Sequence, residues 1–226
     1  MDFAATLQGS WQLLLNGLGT TVIVSLIGIA TGIVIGFISC LMGMSRIWPL
    51  RALSKVYVWV VRGTPMIVQA FIVYFGVPQL VQLFIPGFTI SALTAGSITL
   101  SINAGAYLSE IFRSGINAVD PGQVEASRSL GMSHVRTMRR IILPQAVRIT
   151  IPSLVNQFII TVKDSSILSV IGLPDLVNRA KVYVGGTYQF FSTYVLVALF
   201  YLAFISVLMV VSRHIERRLN RDQSSH

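Results

Sequence analysis

Residues 21–44 read TVIVSLIGIATGIVIGFISCLMGM, an unbroken run with no acidic or basic side chain. As an α-helix this run would rise about 36 Å, enough to cross a hydrocarbon core of about 30 Å. It predicts a membrane span. Inside it Gly28, Gly32 and Gly36 recur at intervals of four, with Cys40 next in the series. Small residues at helical spacing let another helix approach closely, so this face is expected to pack rather than to do chemistry.

Four more stretches are long and apolar enough to cross: Thr64 to Phe84, Thr89 to Phe112, Ile149 to Gly172 and Phe190 to Ser212. Lys163 and Asp164 interrupt the fourth, and Ser97, Ser101 and Gly105 give the third a small-residue stripe of its own. The whole chain agrees: 54% of its 226 residues are hydrophobic, 11% are charged, and mean hydropathy is +0.74. Such a composition lies outside the soluble globular range. The expectation is an all-α integral membrane protein, a single domain over residues 1–226 with about five transmembrane helices. Met1-Asp2-Phe3 brings no basic segment or cleavage site before the first span, which is read as the anchor itself. Trp11, Trp48 and Trp59 suit interfacial belts.

The formal charge of +9, from 17 Lys and Arg against 8 Asp and Glu, could suggest nucleic acid. The placement of the basic residues argues against it. Arg46, Arg51, Lys55 and Arg62 precede the second span; Arg113, Arg128, Arg136, Arg139, Arg140 and Arg148 lie between the third and fourth; Arg213, Arg217, Arg218 and Arg221 form the tail. All fall on one side, against only Arg179 and Lys181 on the other. Under the positive-inside rule the N-terminus is outside and the C-terminus cytoplasmic, in a multi-pass membrane protein with lipid and not nucleic acid around it. The single cysteine excludes an internal disulfide, and His134, His214 and His226 have no second ligand at metal spacing. No nucleophile elbow or H-E-x-x-H is present, and none of Lys55, Lys163 and Lys181 belongs to a glycine-rich phosphate loop.

The longest polar segment, residues 117–144, begins NAVDPGQVEASRSLG. Asp120 before Pro121, with Gln123 as a reciprocal amide, is a helix start. That helix is expected to run to about Leu130, where Gly131 can turn left-handed; Ser133 then caps a second helix through Arg139 and Arg140 towards Leu143-Pro144. Two capped helices on the cytoplasmic face make a docking surface.

Glu125-Ala126-Ser127, Gly131, Ile141 and Leu143-Pro144, at these spacings, resemble the EAA loop of the membrane subunits of ABC importers, with Ser127 where a second alanine is common. The resemblance extends to Leu15-Asn16-Gly17-Leu18 and Thr20-Thr21, to Arg62-Gly63-Thr64-Pro65, to Gly105-Ala106-Tyr107 with Glu110, and to Lys163-Asp164-Ser165-Ser166. It is similar to the polar-amino-acid permease branch, glutamine permeases in particular. That resemblance implies a transport subunit without enzymatic activity, coupled through Asp120, Glu125, Ala126, Gly131, Ile141, Leu143 and Pro144 to a separate ATP-binding cassette subunit. ATP and magnesium would bind there, and this chain would hold no cofactor. It further implies an extracytoplasmic solute-binding protein, a second permease subunit (the same chain or a related one), and a polar amino acid as substrate, glutamine or a relative, basic ones included.

Polar side chains within a membrane are costly and become functional candidates. Asn103, Tyr107 and Glu110 share one face of the third span, with Asn103 roughly 15 Å from the cytoplasmic end near Arg113. Glu110 can equally pair with Arg113, and Tyr107 can simply pack. Asp164, with Lys163 and Ser165 beside it, either faces the path and meets an ammonium or pairs structurally with a basic neighbour. The competing class is an ion channel or ion-coupled transporter without an ATPase, which predicts an inverted repeat with matching broken helices; one interrupted span and no counterpart is found. A membrane-embedded enzyme lacks a catalytic constellation.

Overall fold

The computed structural model describes residues 3–223, so His226 and the Met1-Asp2 pair lie outside the described residues. It is built of helices joined by short turns. Three helices are long and apolar enough to cross a membrane: α1 (Phe3–Met44), α6 (His134–Ile171) and α8 (Phe190–Gln223). A bent pair, α2 (Trp48–Gly63) and α3 (Met66–Val81), which meet at 107°, adds a fourth if the two count as one span. Between them lie α4 (Ala92–Asn117), α5 (Pro121–Ser129) and α7 (Leu176–Thr187).

The helix α4, which is the third predicted span, is not among the helices long and apolar enough to cross by composition alone, and it is the best surrounded. Half of its residues, 13 of 26, are buried. Its Ser, Thr and Gly face protein, so it needs less hydrophobicity than a lipid-facing helix. The tightest neighbour is α1. A Cβ added at Gly28 would stand 2.7 Å from Leu100 Cβ, one at Gly32 3.0 Å from Ala104 Cβ, and one at Gly36 2.7 Å from Leu108 Cβ and 2.8 Å from Gly105 O. Three glycines one turn apart thus receive three α4 residues one turn apart. In the facing stripe Ser101 hydrogen-bonds Thr31, while Gly105 accommodates Ile35 and the Tyr57 hydroxyl. On its other side α4 packs on α6, with Gly96 against Leu168 and Gly115 against Thr150.

Helix α1 starts 18 residues before the predicted span and is about 63 Å long. Its early turns carry polar residues that hydropathy discounts, yet Thr6 and Ser10 are buried. Thr6 Oγ1 donates to Gln189 Oε1 at 2.6 Å and is hydrogen-bonded with Ser192 Oγ at 3.0 Å, which fastens α1 to the start of α8. The second predicted span loses its first two residues to a corner: Thr64 and Pro65 are both extended, as the steric demand of proline on its predecessor requires. Helix α7 falls between the fourth and fifth predicted spans. Asp175 caps it, accepting from Asn178 N at 2.9 Å and Val177 N at 3.4 Å. Burial pushes the Asp175 carboxyl up to about 6 against the pull of these amides and of Lys181.

Two prolines expected to end or break helices do neither. Val77 N–H bonds to Ile72 O and Leu143 N–H to Met138 O, each five residues back. The residue after each is a proline, Pro78 or Pro144, with no N–H to offer. Widening the preceding turn to a π-helix clears the pyrrolidine ring from the carbonyl it would strike. The second helix of the polar segment therefore does not stop at Leu143-Pro144 but continues as α6 through the fourth predicted span.

The α1–α4 seam sets a measurable requirement. Gly36→Ala should lower the thermal midpoint of the detergent-purified chain by an overpacking cost of about 1–3 kcal/mol, because the clashing atoms include backbone. Gly19→Ala, with no atom within 4 Å of the added Cβ, should leave stability unchanged or raise it by up to about 1 kcal/mol. Equal midpoints for the two variants would contradict this register.

Candidate functional site

Two regions hold the residues singled out from the sequence. The first is the glycine turn between α5 and α6. Asp120 Oδ1 accepts from Gly122 N at 2.8 Å, which starts α5 as expected, but Gln123 does not return its amide to the cap. Gln123 Oε1 instead accepts from Gln145 Nε2 at 2.6 Å, tying α5 to α6. At the other end Gly131 has φ +78°; its N–H bonds to Arg128 O at 3.0 Å and Met132 N–H to Ser127 O at 3.1 Å. This paired closure satisfies two of the last carbonyls of α5 and needs a left-handed residue at Gly131. Ser133 then caps α6 by accepting from Arg136 N.

Ser127 fixes the angle between the two helices. It is buried, donates to Val124 O at 2.8 Å and hydrogen-bonds the buried Thr137 at 3.0 Å across the turn. An alanine there could not make this bond. Outward, Glu125 and Ala126 are exposed, and among the described residues no ion pair engages Glu125. Leu130 is 82% and Val135 74% exposed, on either side of Gly131. A carboxylate beside two bare aliphatics on a rigid, doubly capped turn forms a surface built to be covered. Ile141 is half-buried, Leu143 likewise, and Pro144 is exposed; these three lie in the π-turn and the start of the long run of α6.

The second region is the corner between α2 and α3. Asn103 is buried at 7% exposure, and its Nδ2 donates to Gln69 Oε1 at 3.1 Å. Gln69 Nε2 in turn donates to Val61 O at 2.7 Å and Thr64 O at 3.1 Å, while Thr64 Oγ1 donates to Val60 O at 2.8 Å. Carbonyls that the broken helix would leave bare are thus satisfied by side chains, as an apolar surround demands. Gln69 was missed in the sequence reading although the same signal, an amide inside an apolar run, had marked Asn103.

Along α4 the expected face is present and each member has a partner. Tyr107 lies under the Arg62 guanidinium, 5.2 Å from the ring centroid. Glu110 forms with Arg113 the only ion pair at contact distance among the described residues. Asp164 is half-buried at the last α-helical residue before Ser165–Ile171 tightens to a 3₁₀ helix. Lys163 is exposed, and Ser165 is fully buried with its hydroxyl donated to Val162 O at 2.8 Å. Asp164 and Asn103 are not hydrogen-bonded to each other, since the Asn103 amide goes to Gln69.

A model of the family described as binding-protein-dependent transport system inner membrane component matches residues 28–221. A probable amino-acid ABC transporter permease protein of Bacillus subtilis (strain 168) is 39% identical over 92% of this chain and 90% of its own length. An arginine transport system permease protein of the same organism is 36% identical over 97% of each chain. A putative glutamine transport system permease protein of Rickettsia felis is 36% identical over 91% of this chain and 92% of its own. A crystal structure of an amino acid ABC transporter with histidines superposes with a TM-score of 0.91 and 39% identity, covering 96% of this chain and 99% of that one. The MetNI methionine ABC transporter in an inward-facing form shares the fold, with a TM-score of 0.76 at 19% identity. With a family model spanning most of its length and close relatives along nearly all of it, the chain belongs to the inner membrane components of binding-protein-dependent transport systems.

Proposed function

We propose that this chain forms half of the translocation path of an importer for polar amino acids, driven by ATP hydrolysis on a separate subunit seated on the α5–α6 turn. The observation that carries the proposal is the doubly capped turn with Glu125, Leu130 and Val135 bare on its surface. The substrate class is supported by the relatives, whose names specify arginine, glutamine and cystine. Membership of the family makes the chain a permease subunit, a transport component rather than an enzyme. ATP and magnesium belong on the partner, and a solute-binding protein delivers substrate at the opposite face. A second permease, identical or related, completes the path.

Five crossings are proposed, with α4 counted as one, the N-terminus outside and the C-terminus cytoplasmic, from the charge asymmetry. In this arrangement α5 and its turn sit at the cytoplasmic face, and ATP-driven motion of the partner moves α5 as a rigid body with α6. Asp164 marks the α-to-3₁₀ change in α6, so it is where a displacement of that helix alters geometry most. With no ion pair of its own at contact distance, its carboxylate is available to a substrate ammonium, while Asn103 and Gln69 offer amides to the other end.

Replacing Glu125 with Ala, or Gly131 with Val, should leave insertion intact but cut transport per ATP hydrolysed. Gly131→Val is expected to be the worse of the two, because a β-branched residue at φ +78° is strained by about 1–3 kcal/mol. Reconstituted variants that bind the ATPase and transport at the normal coupling ratio would refute the docking assignment.

Single cysteines placed between Asp120 and Arg140 in a Cys40-free background should react only after the cytoplasmic face is opened. Those between Pro174 and Tyr188 should react in intact cells. The reverse pattern would overturn the orientation.

Asp164→Asn should depress substrate-stimulated uptake strongly while leaving the thermal midpoint of the purified complex nearly unchanged, as no ion pair at contact distance is lost. Asn103→Asp should shift preference towards basic substrates. Normal uptake per assembled complex by the Asp164→Asn variant would remove Asp164 from the path.

A further inference from the structure

A polar cavity of about 220 Å³ opens between the C-terminal end of α1, the middle of α2 and the late turns of α4, away from the Asn103–Gln69 corner. Its floor is a hydroxyl cluster: Ser109 Oγ donates to Ser39 Oγ at 3.1 Å, Ser39 and Ser54 share a 3.0 Å bond, and Ser54 Oγ donates to Ser39 O at 2.7 Å. All three serines are at most 5% exposed. Its rim carries Lys55, Arg62 and Arg113 against a single acid, Glu110, and that acid is already paired with Arg113. Lys55 and Arg62 are therefore without a countercharge in the cavity; both are exposed, and Arg62 rests over the Tyr107 ring without a carboxylate at contact distance.

The α2 wall tells what kind of anion fits. Arg51, Lys55 and Arg62 fall at spacings of four and seven, a single stripe along the helix. Trp48 and Trp59 lie in the same stripe, before Arg51 and between Lys55 and Arg62, and are 69% and 76% exposed. Basic residues in register with bare tryptophans are the mark of a helix lying at the headgroup level, with the rings in the acyl boundary and the charges at the phosphates. A water occupies about 30 Å³ of liquid, so the cavity has room for a phosphate with its attached small alcohol.

We infer that this cavity is a binding site for the headgroup of one anionic phospholipid, the phosphate held between Lys55 and Arg62 above the serine floor, and the acyl chains lying along Trp59. Basic pockets between transmembrane helices at the anionic leaflet hold headgroups in this way. The leaflet, here the cytoplasmic one, rests on the orientation proposed above; binding itself does not, and cysteine labelling tests the orientation separately.

The full chain carrying Trp11→Phe and Trp48→Phe, so that Trp59 is the sole fluorophore, is reconstituted in phosphatidylcholine vesicles containing phosphatidylglycerol. The chain-brominated lipid is either the phosphatidylglycerol or an equal amount of the phosphatidylcholine. Trp59 should be quenched preferentially by the brominated phosphatidylglycerol, and added inorganic phosphate should leave that preference unchanged. Lys55→Gln with Arg62→Gln should lower the preference by about thirtyfold, the factor two basic side chains contribute near an anionic surface. Arg213→Gln with Arg217→Gln should not. Equal quenching by the two lipids in the otherwise unaltered chain, which needs no charge variant to fold, overturns the proposal. So does a preference that survives removal of Lys55 and Arg62, that vanishes on removal of the tail arginines, or that inorganic phosphate alone abolishes.

Discussion

The structure depends on one close approach, that of α1 to α4 along Gly28, Gly32 and Gly36. In lipid there is no hydrophobic gain from bringing two apolar helices together, so association rests on dispersion between surfaces that fit. Fit here means the removal of three Cβ atoms from α1, each of which would come within 2.7–3.0 Å of α4. Held this tightly on one side, α4 can be lined with Ser, Thr, Gly and Asn and still remain membrane-embedded. Its polar face is then available to the corner between α2 and α3.

That corner places a pair of extended residues, Thr64 and Pro65, between α2 and α3. Irregular backbone persists there because Gln69 and Thr64 supply donors to the exposed carbonyls and Asn103 anchors Gln69 from α4. Interhelical polar contacts of this kind average only about 0.6 kcal/mol. The Asn103–Gln69 bond is therefore better understood as a device that fixes geometry than as a source of stability, and it can be exchanged when the helices move.

The opposite design governs the link between the glycine turn and the long helix α6. Pro144 could have separated the cytoplasmic helix from the fourth span, which would have decoupled them. A π-turn at Met138–Ile142 absorbs it, leaving one continuous body from Ser133 to Ile171. The Ser127–Thr137 and Gln123–Gln145 hydrogen bonds tie α5 to α6, so under the coupling proposed above a displacement at Glu125 would pass into α6 and along it towards Asp164. The change to 3₁₀ geometry after Asp164 is where that rigidity ends.

Composition, apolar run length and the turn chemistry around Asp120, Gly131 and Ser133 are local or additive properties, and the sequence by itself determined from them the all-helical membrane class and the glycine-turned helix pair. Ser91 and Asp175 as caps were equally local but went unread. What tertiary structure decided was everything set by a partner distant in the chain. Thr6 extends α1 because Gln189 and Ser192 receive it; Gln69 matters because Asn103 faces it; Gln123 leaves its cap because Gln145 is nearer. Pro144 failed as a stop for a related reason: whether a proline breaks a helix depends on whether the preceding turn can widen, and packing of Ile142 and Ala146 against Val119 holds that widened turn in place. Hydropathy registers the cost of a residue in lipid. It cannot register the neighbours that remove the cost.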